Sequence, residues 1–262
     1  MNALLVKPAP NNPALTSQRR EIALLAQELK VFLQVVRRKA YRRLTGRLLA
    51  VQMGFLAGYS SADTALAAHL TMQQAARLGH PLWILYIDLA TMFPRMDRGV
   101  LTFAETIHGL PREVQELVAA VYGGAVAGEA DATECQYDSA VGLSEYFRMT
   151  TGAFMGCPLS PDRAKLLLNT IVVAIAAYAK GVVAFGETAE EMCHRVMQLL
   201  YADDWCGVFG SLEQLRRAWR CWTVWEVASG SRLGIKGHAK TVVSGVWREG
   251  GKVRPAADPT GL

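Results

Sequence analysis

The stretch Leu199–Val208, LLYADDWCGV, sets two adjacent carboxylates, Asp203 and Asp204, between two apolar runs. Apolar run, short acidic turn, apolar run is the pattern of a hairpin, because aspartate hydrogen-bonds its own backbone and tolerates turn conformations. An acidic turn alone is found in many proteins, so its meaning depends on what else reaches it. The segment Leu82–Asp88, LWILYID, is a short unbroken apolar run closed by a third carboxylate, and it reads as a fully buried strand. Two such strands lying side by side would gather Asp88, Asp203 and Asp204 at one edge of a sheet. Like charges that close raise one another's pKa unless a cation sits between them, and a divalent metal is the usual answer. Mg²⁺ takes oxygen ligands, keeps several waters and is commonly held by one or two carboxylates together with substrate phosphates.

The rest of the chain surrounds this acidic centre with an ordinary globular composition. Of 262 residues, 51% are hydrophobic, enough for a sizeable core. The net charge is +5, yet residues 1–48 hold ten Lys or Arg against only Glu21 and Glu28. A basic arm on a near-neutral body suits a polyanion such as nucleic acid, and it also suits a solvated helix face. The five cysteines (135, 157, 193, 206 and 221) show neither a CxxC nor a Cys/His spacing, which argues against a disulfide framework and a zinc site. They imply a reducing, intracellular setting, cytoplasmic or nuclear. No secretory signal pattern opens the chain, and the longest apolar tract, Leu166–Phe185, is interrupted by Asn169, Thr170 and Lys180. That tract reads as a buried helix, with no membrane partner expected.

Periodicity supplies the other elements. From Ser17 onward, Leu25, Leu29, Phe32, Val36, Ala40, Leu44 and Leu48 recur every three or four residues among arginines and lysines, predicting a basic amphipathic helix broken at Gly46. Ser60 or Ser61 can cap a helix that Gly79 ends, and further helices are expected over 98–108, 112–122 and from Ser160-Pro161 onward. Residues 133–141 and 145–151 suggest a hairpin around Gly142. Ser211 with Gln214 forms a capping-box signature for a helix to about residue 228, one or two strands follow over 235–247, and the remainder reads as loop. Mixed helices and short strands without regular alternation predict an α+β fold.

Four stretches, in order, resemble the motifs of reverse transcriptases: LYIDLATMFPRMDR (85–98), TTGAFMGCPLSPDRAKLLLN (150–169), LLYADDWCGV (199–208) and LGIKGHAKT (233–241). Upstream, GFLAGYSSADTAL (54–66) resembles the segment that introduces the palm in enzymes of non-LTR, LINE-type retrotransposons. The resemblance spans residues 52–241. It implies a single right-hand polymerase domain, an antiparallel palm sheet backed by helices, with fingers mainly over 1–80 and 110–157 and palm mainly over 81–109 and 158–250. It also implies an RNA-directed DNA polymerase that extends a DNA or RNA primer on an RNA template with dNTPs.

The same resemblance assigns roles by position. Asp88 and Asp203 would bridge two Mg²⁺ ions, with Mn²⁺ as a possible substitute; Asp204 would be a further ligand or electrostatic support, and the Leu89 carbonyl would touch the nucleotide-side ion. Lys240 would lie near the leaving pyrophosphate. Phe93 would pack under the sugar and leave no room for a 2′-hydroxyl. Gly156, Pro158, Ser160 and Pro161 would form the turn beneath the base and template, with Asn169 on the following helix. The sequence departs from the pattern at Met155, where many of these enzymes carry glutamine, and in NNPALTSQRR (11–20), where an Arg-Pro-Ile-like motif is usual. With about 22 residues after Lys240, no thumb is expected in this chain, and another segment or chain would supply one. The alternative function is a catalytically silent RNA-binding relative, or a retroelement remnant.

Overall fold

A computed structural model of the chain describes residues 2–6, 19–45, 48, 51–122, 133–139, 142–178, 182–185, 194–196, 198–234, 241–249 and 252–255. In chain order the elements begin with β1 (Asn2–Val6), β2 (Arg19–Ala23), α1 (Gln27–Val36), a π-helical turn (Arg37–Tyr41), α2 (Arg42–Thr45), α3 (Ser61–Leu78) and β3 (Leu82–Ile87). Next come α4 (Met92–Arg95), α5 (Arg98–Ile107), α6 (Arg112–Val121), β4 (Thr133–Cys135), β5 (Tyr137–Ser139), β6 (Gly142–Leu143), β7 (Phe147–Met149) and α7 (Ser160–Tyr178). The chain continues through β8 (Val182–Phe185), β9 (His194–Val196), β10 (Gln198–Tyr201), β11 (Asp204–Phe209), α8 (Leu212–Ser229), β12 (Val242–Glu249) and β13 (Lys252–Pro255). The fold class is α+β, with an antiparallel sheet backed by helices.

Two compact units emerge, one of residues 1–47 and 93–167, the other of 48–92 and 168–262. The second holds the sheet, in the order β10-β11-β3-β12-β13, every neighbouring pair antiparallel. Strand alternation gives the sheet two apolar faces. Ile84, Cys206, Val208 and Leu199 pack with Ala75 of α3 on one face. On the other, Trp205 meets Trp222 of α8 edge-on at 5.3 Å, and Trp222 meets Trp225 likewise. Gly207 is the small residue between Trp205 and Phe209, where a Cβ would strike both rings. The buried indole of Trp205 donates to Gln198 Oε1 at 2.9 Å, and Gln198 Nε2 donates in turn to the Val172 carbonyl of α7.

The first unit carries a sheet of order β2-β1-β5-β6 and a two-stranded β4-β7 ladder. Its interior is polar as well as apolar. Arg163, 3% exposed, donates to Glu105 Oε1 at 2.6 Å, and the Tyr41 hydroxyl donates to the same oxygen at 2.7 Å. The Arg163 guanidinium carbon also lies 4.8 Å from the centre of the Tyr122 ring, and its buried Nη1 has no hydrogen-bond partner among the described residues.

Several expectations are corrected. The buried residues of the basic helix are Leu33, Val36, Tyr41 and Leu44, whereas Phe32 is 43% exposed. The shift from Ala40 to Tyr41 comes from the π turn, where Arg42 N–H bonds the Arg37 carbonyl, one residue further back than in an α-helix. Arg19–Ala23 form β2, so the helix starts at Gln27 and not from Ser17. The expected hairpin near Gly142 does form, but its pairing is interrupted into two ladders, β4 with β7 and β5 with β6. The tail read as loop contains β13, which pairs β12 with Glu249 opposite Lys252. At α8 only half of the capping box forms: Ser211 Oγ accepts from Gln214 N–H at 3.3 Å, while Gln214 Oε1 has no hydrogen-bond partner among the described residues. Gly46 and Lys240 lie outside the described residues. The apolar tract beginning at Leu166 forms much of α7, which ends at Tyr178, and no helix among the described residues is long and apolar enough to cross a membrane.

Candidate active site

The acidic motifs lie at one end of the sheet in the second unit. β10 and β11 close on the pair Tyr201–Asp204, leaving Ala202 and Asp203 as the two turn residues. β11 pairs β3 through Trp205–Ile87, and continuing that register by one residue sets Asp204 opposite Asp88. Asp88 and Asp203 are partly exposed and Asp204 is exposed. The sequence produces this arrangement because both apolar runs are used up in strand pairing and the carboxylates fall where the ladder stops.

Backbone contacts grip Asp88 from the segment after α8. Its carbonyl accepts from Gly234 N–H at 2.8 Å, its N–H donates to Thr241 Oγ1 at 3.4 Å, and Ala90 N–H donates to the Arg232 carbonyl at 2.8 Å. Leu89 thus forms a non-hydrogen-bonded pair with Leu233, and its own N–H and C=O point away from that segment. Gly234 suits the close approach, since a Cβ there would stand 3.2 Å from the Asp88 carbonyl oxygen and 2.9 Å from its Oδ2, which would have to shift.

Three non-glycine residues have positive φ among the described residues: Phe55 at 59°, Thr91 at 50° and Ala202 at 57°. Thr91 follows Asp88 by three positions, Ala202 precedes Asp203, and Phe55 follows Gly54, which is packed against the Ala202 turn. Left-handed backbone costs a side-chain-bearing residue about 1–2 kcal/mol and collects where function demands a particular geometry.

Carboxylates suit a hard divalent cation in kind. Among the described residues no three His, Cys, Asp or Glu side chains converge into a ready-made metal cluster. A metal here would take its remaining ligands from water and substrate oxygens, the usual habit of Mg²⁺. Burial pushes the thiol of Cys206, two residues beyond Asp204, up to about 12, so it is a neutral packing group.

The other candidates are distributed as follows. Asn169 is buried on α7 in the second unit, where its Oδ1 accepts from Gln52 Nε2 at 3.2 Å. Phe93, Gly156 and Pro158 belong to the first unit. Phe93 is half-buried, and its carbonyl accepts from Ala153 N–H at 2.8 Å. Gly156 has φ of 96°, and a Cβ there would stand 3.0 Å from the Ala23 carbonyl of β2. The Met155 carbonyl accepts from Ala23 N–H at 2.7 Å, so β2 runs beside this turn. Sequence reasoning missed Gln52, Gly54 and Gly234; no periodicity marks them, although Gly54 and Gly234 fall inside motifs already singled out.

No family model matches the chain, and no curated protein matches its sequence. It is similar to solved structures of telomerase. One, from Candida albicans in complex with a TWJ fragment of telomeric RNA, is 14% identical with a TM-score of 0.47, over 90% of this chain and 35% of that one. Another, an apo telomerase from Candida tropicalis truncated from its C-terminal domain, is 12% identical with a TM-score of 0.46, over 88% of this chain and 44% of that one. The chain spans less than half the length of either.

Proposed function

We propose that the chain is the core of an RNA-directed DNA polymerase of the reverse-transcriptase type, of the non-LTR, LINE-like kind suggested by its motifs. The observation that supports this reading most is the meeting of Asp88 with the Tyr201–Asp204 turn at one end of an antiparallel sheet, on locally strained backbone. In this reading Asp88, Asp203, Asp204 and the Leu89 carbonyl would hold two Mg²⁺ ions, for which Mn²⁺ could substitute. Bound there, the ions would make the primer's 3′ hydroxyl a better nucleophile and offset charge on the leaving pyrophosphate. The chain's own groups would orient the reactants. Phe93 would exclude a 2′-hydroxyl beneath the sugar, Gly156 and Pro158 would bring backbone close to base and template, Asn169 would contribute to substrate binding from the helix that follows in the chain, and Lys240 would offset charge on the departing phosphates.

Template RNA has a natural seat on the basic helix, where Arg38, Lys39, Arg42 and Arg43 are exposed. Such contacts give sequence-independent affinity that falls with salt. A thumb from a further segment or chain would complete the grip on primer and template. The substrates place the protein inside the cell, in cytoplasm or nucleus.

Primer extension on an RNA template with dNTPs and Mg²⁺ or Mn²⁺ tests the proposal. Wild-type chain should incorporate deoxynucleotides, and Asp203→Ala should reduce the rate by about a hundredfold or more. Equal rates would remove the reading. Met155, which cannot hydrogen-bond a nucleotide through its side chain, favours a second reading as a silent RNA-binding relative. Salt-dependent RNA binding without incorporation is its signature.

A further inference from the structure

Outside the acidic motifs, residues 51–54 form a strap along β10. Leu200 N–H donates to the Val51 carbonyl and Met53 N–H donates to the Leu200 carbonyl, both at 2.9 Å, so Gln52 makes a parallel bridge to Leu200. The Gln52 side chain is 1% exposed and donates to Asn169, anchoring the strap to α7. Gly54 comes next and is buried. A Cβ built on it would land on the Ala202 amide nitrogen, 2.8 Å from the Ala202 Cα and 3.0 Å from the Tyr201 carbonyl carbon. Every one of these atoms is backbone, so no rotamer change could relieve the clash.

The opposing turn makes this contact informative. Ala202 occupies the first central position with φ of 57°, where a hairpin ordinarily places glycine. The chain instead has alanine in the turn and glycine on the strap facing it. The turn therefore does not take its conformation at no cost from its own sequence; it is seated against backbone that lies almost 150 residues earlier. The strap then leaves in a second left-handed residue, Phe55.

We infer that Gly54 is a positioning residue: its bare backbone is the seat that fixes the Ala202–Asp203 turn and thereby the direction of the Asp203 carboxylate. Its bearing on catalysis rests on the polymerase reading, whereas its bearing on the turn does not.

The test compares wild type with Gly54→Ala, and uses Gly210→Ala as a control because a Cβ at Gly210 meets nothing within 4 Å. Amide hydrogen exchange over 198–206 should quicken by about fivefold or more in Gly54→Ala, with α8 unchanged and the control like wild type. The Mn²⁺ dissociation constant, followed by the EPR signal of the free ion, should rise about tenfold in Gly54→Ala alone. Adding Ala202→Gly, which lets the turn move, should recover at least half of both effects. Unchanged exchange at the hairpin would overturn the inference, as would exchange that rises equally throughout the chain. If Gly54→Ala does not fold, the double variant should; failure of both would make Gly54 a general packing residue and also overturn it. Wild-type chain that binds no Mn²⁺ would sink the polymerase reading, with hydrogen exchange still deciding the role of Gly54.

Discussion

Charge is handled in opposite ways in the two units. In the first, Glu105 and Arg163 are 1% and 3% exposed, and their pairing is completed by the Tyr41 hydroxyl and the face of Tyr122. Burial works against the Arg163 charge, and Glu105 with the two tyrosines more than offsets it, so its pKa is raised overall. Asp162 similarly lies with Lys165 at 2.8 Å and with Arg37. In the second unit Asp88, Asp203 and Asp204 stand at the end of the sheet, reachable from solvent, on backbone held by Gly54 and Gly234. The contrast separates a charge that joins helices from a charge that can meet a ligand. The former needs every partner inside the fold; the latter needs a rigid mount and an open side.

The largest expected effect tests that separation directly. Glu105→Gln leaves Arg163 buried with its countercharge removed, and should cost about 3–5 kcal/mol of stability in chemical denaturation. Asp203→Ala, which abolishes incorporation under the proposed function, should change stability by no more than about 0.5 kcal/mol, since it removes a partly exposed turn side chain. A neutral Glu105→Gln, or an Asp203→Ala that unfolds the chain, would break the comparison.

Much of this contrast was legible in the sequence, and unevenly. Local signals performed well: the Ser60–Asp63 capping box and the left-handed Gly79 bracket α3, Ser160-Pro161 opens α7, and the acidic hairpin turns at the expected residues. Signals that depend on remote partners did not. The parallel pairing of β1 with β5 was invisible because the two lie well over a hundred residues apart, and the π turn was invisible because a helical period assumes no inserted residue. The Glu105–Arg163–Tyr41 cluster joins three segments, none of which carries a motif for it. The acidic residues stand out in the sequence because each closes or opens an apolar run, and the structure sets them at strand ends as that pattern predicts. The glycine that seats their turn does not stand out, because its function is the absence of a side chain opposite a particular atom.

A smaller effect follows from burial of neutral acids. Desolvation, with the charge of Cys157 adding to it, pushes Tyr122 from 10.0 up to about 12. A raised pKa in the native state means that the unfolded chain loses its proton first. The contribution is therefore fully present below pH 10 and is lost between about pH 10 and 12. For this buried group a rise of that size is worth roughly 2–3 kcal/mol of stability. Tyr122→Phe, which gives up the hydrogen bond to Ser160, should flatten the alkaline fall in stability while leaving Mn²⁺ affinity unchanged. Steepness that persists undiminished would assign the alkaline loss to other buried groups, Tyr41 of the first unit and Cys206 of the second, both raised by burial in the same direction.

The smallest effect concerns the helix that backs the sheet. Ser211 caps α8 through the Gln214 amide, and the reciprocal half of the box is missing, so Ser211→Ala removes one side-chain cap and should cost about 1 kcal/mol. β11 runs from Asp204 to Phe209, so this cap lies at the end of the strand remote from the carboxylates. Loosening it should lower the melting temperature and leave hydrogen exchange at 198–206, and Mn²⁺ affinity, as in wild type. Should the hairpin respond, the mount of the acidic residues would extend through α8 and its tryptophans. An unresponsive hairpin would confine that mount to the strap at 51–54 and the segment at 232–234, two places among the described residues where a glycine touches the site.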